Sequence, residues 1–184
     1  MSRVPAADGV EDVQPRIPQQ AAESGSTRAD VDDRLSAELV EVVAGARRRA
    51  VRDGDRQIDT AHLLHSLLES DPRVREVFAE GAQVARLLGY LVQRSIGYGL
   101  QWQGSVEDSG AVPVVREAGW SPTAGIAMEV ACLRAEARGE RRARGVDLLA
   151  ALAADPDCRA VEILGHAGVV AGELLKRIDE ALAA

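Results

Sequence analysis

The sequence predicts an all-α fold of two pseudo-symmetric four-helix repeats, eight helices in all. Three observations predict it. Aromatic residues make up only 3% of the 184 residues, and the apolar content is mostly alanine, valine and leucine, which suits helices packed through small and medium side chains better than a sandwich or a barrel. Apolar residues recur at intervals of three and four, the period of a buried helical face. Two blocks of the chain also match each other in register, the mark of a duplicated structural unit.

The first block begins at Leu35 with LSAELVEVVAGARRRAVRDGDRQIDTAHLLHSLLESDP. The second begins at Trp120 with WSPTAGIAMEVACLRAEARGERRARGVDLLAALAADP. At an offset of 85, Ser36 meets Ser121, Arg49 meets Arg134, Ala50 meets Ala135 and Gly54 meets Gly139. Leu63, Leu64 and Leu67 meet Leu148, Leu149 and Leu152. After a one-residue gap Asp71-Pro72 meets Asp155-Pro156, and further on Val77-Phe78 meets Ile163-Leu164 and Leu88 meets Leu174.

Each element then has a local reason. The first helix of each repeat carries a stripe, Leu39, Val42, Val43, Ala46 and Ala50 in one, Ala124, Ala127, Met128, Ala131 and Ala135 in the other. Ser36 and Ser121 are candidate N-caps, and Pro122 suits the first helical position, where no amide partner is lost. Gly54 and Gly139 stand where those helices stop. Thr60 is the candidate cap of the second helix. Asp71-Pro72 and Asp155-Pro156 read as a cap followed by the first residue of a third helix. The fourth helix runs over about 83–94 in repeat one and 170–182 in repeat two.

Domain organisation follows. Residues 1–33 hold three prolines and no apolar periodicity and read as a disordered tail. Residues 34–184 form the domain, with repeat one at 35–95, a glycine-containing linker at 96–119 and repeat two at 120–183. The linker is expected to be a loop or to carry a short hairpin. The net charge of −7 works against nucleic acid and anionic membrane as partners. No apolar run approaches the ~20 residues of a membrane helix, and the N-terminal residues lack the apolar core of a secretory signal. A cytoplasmic protein is expected, with Cys132 and Cys158 as buried free thiols.

The doubled block, with Trp120-Ser121-Pro122 opening repeat two and Ile58, Thr60, His62, Leu64 and Leu67 spaced along the second helix of repeat one, resembles the N-terminal domain of the Clp unfoldases, especially the ClpC/ClpA type. The resemblance spans Leu35 to about Ala183. It implies a non-catalytic helical module that receives substrates and adaptors for an ATPase ring, and in the ClpC branch binds phosphorylated arginine and macrocyclic peptide antibiotics. The implied partners are Clp unfoldase components, adaptors, client proteins and macrocyclic peptides.

Two departures qualify what the resemblance implies. Lys176, the only lysine, has no glycine-rich turn before it, so no P-loop is present, and a stand-alone N-domain without ATPase modules is expected. The resemblance also implies a glutamate between the Thr and the His of each repeat, whose carboxylate grips the guanidinium of phosphoarginine. Those positions hold Ala61 and Val146. Asp147, one residue on, is the nearest carboxylate, and Arg144 beside it repels a guanidinium. Phosphoarginine binding is therefore expected to be weak or absent.

Candidate sites divide accordingly. His62 and His65, three apart in DTAHLLHSLLES, share a helical face as metal ligands often do, but zinc needs three or four ligands, and His166 and the cysteines stand at no ligand-like spacing. No metal, no cofactor and no enzyme are expected, since no G-x-S-x-G elbow or comparable constellation is present. The candidate peptide- or ligand-binding residues are Trp120, Leu35, Thr60, His62 and Asp147. Trp120 is either an aromatic anchor for a ligand or a staple of the linker onto the core, with Tyr98 and Trp102 placed to extend its surface. Arg47, Arg48, Arg49 and Arg52, and Arg138, Arg141, Arg142 and Arg144, lie at equivalent places. They read as compensation of helix C-termini, or alternatively as patches of a regulator that binds nucleic acid or an acidic protein.

Overall fold

The computed structural model describes residues 32–94, 105–108, 110 and 119–184. Eight helices occur among the described residues: α1 Ala37–Asp53, α2 Thr60–Ser70, α3 Pro72–Glu76, α4 Gly81–Gln93, α5 Pro122–Ala137, α6 Gly145–Ala154, α7 Arg159–His166 and α8 Ala171–Ala183. The all-α architecture in two four-helix halves is the one the sequence predicts.

Local chemistry sets the boundaries. Ser36 accepts the Leu39 amide and Ser121 the Ala124 amide, both as N-caps of a first helix. α1 stops at Gly54, whose left-handed φ of 76° a side chain rarely adopts, and Gly139 repeats that φ after α5. Two expectations are corrected. Thr60 is the first residue of α2 and not its cap: Asp59 is the N-cap, its carboxylate accepting the His62 amide at 2.9 Å while His62 Nδ1 accepts the Asp59 amide at 3.1 Å. Asp71-Pro72 does open α3, but Asp155-Pro156 does not open α7. There Asp155 accepts the Asp157 amide in a turn, and the helix begins at Arg159, because two extra residues separate the turn from the helix in repeat two.

α2 and α6 form the centre. They are buried almost throughout, each covered by its own first helix, α1 on α2 and α5 on α6, and by its own fourth, α4 on α2 and α8 on α6. The halves also cross, α7 packing on α2 and α3 on α6. Gly45 lets α1 approach α2, since a Cβ there would lie 2.3 Å from Ser66 Oγ. That hydroxyl donates to the Val42 carbonyl at 2.7 Å.

Two short parallel bridges join the halves, and they are images of each other. Leu35 pairs with Ala143 and Ile58 with Trp120, and the offset of 85 exchanges one pair for the other. Ser36 donates to the Ala143 carbonyl at 2.9 Å and Ser121 to the Ile58 carbonyl at 2.8 Å. Each segment leading into a first helix is thereby hydrogen-bonded to the segment leading into the second helix of the opposite half. This pseudo-two-fold arrangement positions everything that follows.

Tail residues 1–31, and Tyr98 and Trp102 of the linker, lie outside the described residues. No helix among the described residues is long and apolar enough to cross a membrane.

Candidate functional site at the junction of the halves

The polar centre of the molecule is assembled around Glu107, a linker residue that is only 6% exposed. Its Oε1 accepts the Thr60 hydroxyl at 2.5 Å and the Arg159 amide at 2.8 Å. Its Oε2 accepts the Thr60 amide at 2.8 Å and the Ser121 hydroxyl at 3.2 Å. Two acceptor bonds at each oxygen fill the capacity of a carboxylate. The donors come from the N-termini of α2 and α7, where free amides and the helix dipole favour an anion, and from the cap of α5. Thr60 Oγ1 in turn accepts the Ala160 amide at 3.0 Å.

A second layer lies beside it. Asp59 Oδ2 is 2.6 Å from Arg159 Nη1 and 2.8 Å from Arg94 Nη2. Arg159 Nη2 donates to the Ser105 hydroxyl at 2.7 Å and to its carbonyl at 3.2 Å. Burial opposes ionisation of Asp59, yet its hydrogen bond with His62 and the positive charge nearby hold the carboxyl well below the usual carboxylate range. The linker is thus pinned to both halves through Ser105 and Glu107, while Val106 between them is 62% exposed.

The five candidate ligand-binding residues are interior. Trp120, Leu35, Thr60, His62 and Asp147 are all buried. Trp120 and Leu35 occupy the two bridges, and Trp120 Nε1 finds no hydrogen-bond partner among the described residues. His62 and Asp147, equivalent at the offset of 85, do the same job. Each accepts the amide three residues before it, Asp147 Oδ2 taking the Arg144 amide at 2.9 Å. Asp147 Oδ1 is also 2.5 Å from Arg138 Nη2. The Asp147 carboxylate is therefore engaged in holding a helix start.

Ala61 and Val146 are buried as well, and neither side chain offers an acceptor. Glu107 brings a carboxylate to Thr60, one residue before Ala61, but all its acceptor positions are taken. Asp55, Asp59 and His62 place ligand atoms within 4.8 Å of one another. The groups already serve each other: Nδ1 takes the Asp59 amide, Nε2 faces Asp55 Oδ2 at 3.1 Å, and Asp59 holds two arginines. His65 stands apart, 3.2 Å from Arg49 and beside Glu69. Burial and the Arg49 charge push its pKa down to about 4. Both cysteines are free and buried, and burial raises the Cys158 thiol to about 11, far from thiolate chemistry.

Next to Thr60 a groove of about 300 Å³ opens between α5 and the end of α6, with Ile126, Val130, Ala151, Ala154 and Cys158 among its walls. It is mostly apolar, with Thr60, Thr123 and Asp155 as its polar lining residues, and of these only Asp155 is partly exposed; such a surface accepts an apolar side chain next to a polar group. Of the sequence-predicted site residues only Thr60 reaches it. Glu107, Arg159, Arg94 and Ser105 carry the junction and were not singled out from the sequence. The available signal was slight: Glu107-Asp108 is one of two charged pairs in the linker, the other being Arg116-Glu117.

No family model and no curated protein matches the chain. Among solved structures it is similar to the N-terminal domain of the caseinolytic protease associated chaperone ClpD from Arabidopsis thaliana. The two share 16% sequence identity at a TM-score of 0.61, over 82% of this chain and 96% of that one. With eight helices in two halves among the described residues and this structural neighbour, the chain has a Clp N-domain-like fold.

Proposed function

We propose that the protein is a non-catalytic protein- and peptide-binding module of Clp-dependent proteolysis, working as an accessory, adaptor or decoy. The observation that carries this reading is the Clp N-domain-like fold, in which the polar groups of the central junction are occupied by one another and an apolar groove beside Thr60 stays open. Its ligands are segments of Clp components, adaptors or clients, with macrocyclic peptides as small-molecule counterparts. The groove supplies apolar contact, and Leu35, Trp120, Thr60, His62 and Asp147 act from the interior by fixing the helix starts around it. A decoy would act by mass action, lowering the free concentration of ligands shared with an unfoldase ring.

The test is binding of purified Clp unfoldase and of unfolded client to the full chain, measured for the wild type and for Ala154→Arg. Ala154 is an exposed residue at the groove's edge, so the substitution fills the groove without entering the core. Binding that is lost in Ala154→Arg supports the proposal. Absence of binding to every Clp component and client contradicts it.

A further inference from the structure

Among the described residues the two pseudo-equivalent junctions are unequally covered. At the first, where the N-termini of α2 and α7 meet, Ser105 and Glu107 lie over Arg159 and Thr60. Its image is where α6 meets α3 and α8. There Arg73 takes the place of Arg159, Arg144 that of Asp59, Gly145 that of Thr60 and Val146 that of Ala61.

The helix-terminal slot at the second junction is filled from within. Asp71 Oδ1 accepts the Arg73 amide at 2.9 Å, and a Cβ on Gly145 would lie 2.2 Å from Asp71 Oδ2. Beside this slot remains an open groove of about 420 Å³ with Val77, Phe78, Ile178 and Leu182 in its wall and Arg73, Arg144 and Arg177 around it.

Those arginines have donors to offer. Arg177 commits Nε to the Val77 carbonyl at 2.9 Å. Arg144 lies 3.8 Å from Glu140, and its buried Nε has no hydrogen-bond partner among the described residues. Arg73 makes no ion pair among the described residues. Glu76 and Glu180 also line the groove, and Glu180 lies 3.9 Å from Lys176.

We propose that the α3–α6–α8 groove is a docking surface for an extended acidic segment of a partner protein, of the kind the linker itself lays over the pseudo-equivalent junction. The apolar floor takes one side chain of the segment. Its carboxylates pair with Arg73, Arg144 and Arg177, because Asp71 already fills the amide slot that Glu107 fills opposite. This surface is separate from the α5–α6 groove of the proposed function.

The probe is a terminally blocked peptide Gly-Ser-Val-Glu-Asp-Ser-Gly, the sequence of residues 104–110, titrated against the full chain with amide shifts of α3 and α8 as readout. Saturable binding is expected, weakening with added salt as screening grows. It should fall about tenfold or more in Arg73→Glu and in Arg144→Glu, a loss typical of removing one charged contact. Ala154→Arg should leave it unchanged. Arg73 is exposed, so its variant keeps the test valid if Arg144→Glu disturbs the fold. No saturation by the wild type, or binding indifferent to Arg73→Glu, overturns the proposal. Tighter peptide binding by a chain carrying Glu11→Lys and Asp12→Lys would assign the groove to the chain's own N-terminal residues, and self-association lost in Arg73→Glu would assign it to a second copy. Either result also overturns it.

Discussion

Arg159 and Asp59, one hundred positions apart in sequence, meet at 2.6 Å and tie the third helix of the second half to the start of the second helix of the first. Both side chains are buried. Removing one partner of such a pair leaves an uncompensated buried charge and typically costs 3–5 kcal/mol. Arg159→Ala is therefore expected to lower unfolding stability by about 3 kcal/mol, since Arg94 still faces Asp59. Urea denaturation measures it. A loss within ~0.5 kcal/mol, the range of an ordinary surface substitution, would show that the pair contributes little.

Glu107→Gln removes one of the two acceptor oxygens and turns amide hydrogens toward groups that are themselves donors. The expected loss is about 1–3 kcal/mol. Val106→Ala, one residue away but exposed, is expected to change stability by less than ~0.5 kcal/mol. The contrast between the neighbours separates a specific anchor from a general sensitivity of the linker.

Acid should destabilise the fold in a defined window. His65 is held neutral down to about 4, whereas in the unfolded chain it titrates near ~6.5. Between those values the unfolded state binds more protons, so stability is full above the upper value and declines as pH falls toward the lower one. Asp59, whose pKa is depressed, adds a further loss below the ordinary carboxylate range. His65→Gln should flatten the first part of the profile, and an unchanged slope between pH ~6 and ~4 would refute the assignment.

Trp120→Ala is expected to cost about 3–5 kcal/mol, as for other buried aromatics. Trp120→Phe should keep most of the stability. If Trp120 acts from the interior, both variants should change ligand binding only in proportion to the folded fraction. Loss of binding in a fully folded Trp120→Phe protein would instead make the indole a direct contact.

Phosphoarginine is expected to give no saturable calorimetric signal with the wild-type chain, because Ala61 and Val146 carry no carboxylate and Glu107 has no acceptor position left. Low-micromolar binding would contradict this.

The helices were legible because their signals are local. The serine caps, the stop glycines and the apolar stripes act within a turn or two of chain, and the duplicated block fixed their order. Thr60 was misread as a cap because Thr and Asp both suit that position and stand side by side. The structure gives the cap to Asp59, whose carboxylate reaches the third amide, and gives Thr60 to Glu107. The start of α7 was misread because Asp155-Pro156 copies a signal that two extra residues had disconnected from its helix. The junction itself was not legible: Glu107 lies 47 positions from Thr60 and 52 from Arg159, and Asp59 lies 100 from Arg159, and no periodicity reports a contact at that range. The burial of the five candidate ligand residues was not legible either, because a spacing pattern carries no information on which side chains the other half of the fold covers.

The most direct measurement is client degradation by a reconstituted Clp unfoldase and protease, with and without the purified chain, repeated with Ala154→Arg. A change in degradation rate, in either direction, that Ala154→Arg abolishes is the predicted result. An unchanged rate at chain concentrations well above those of the unfoldase, together with no binding to unfoldase or client, would contradict the account.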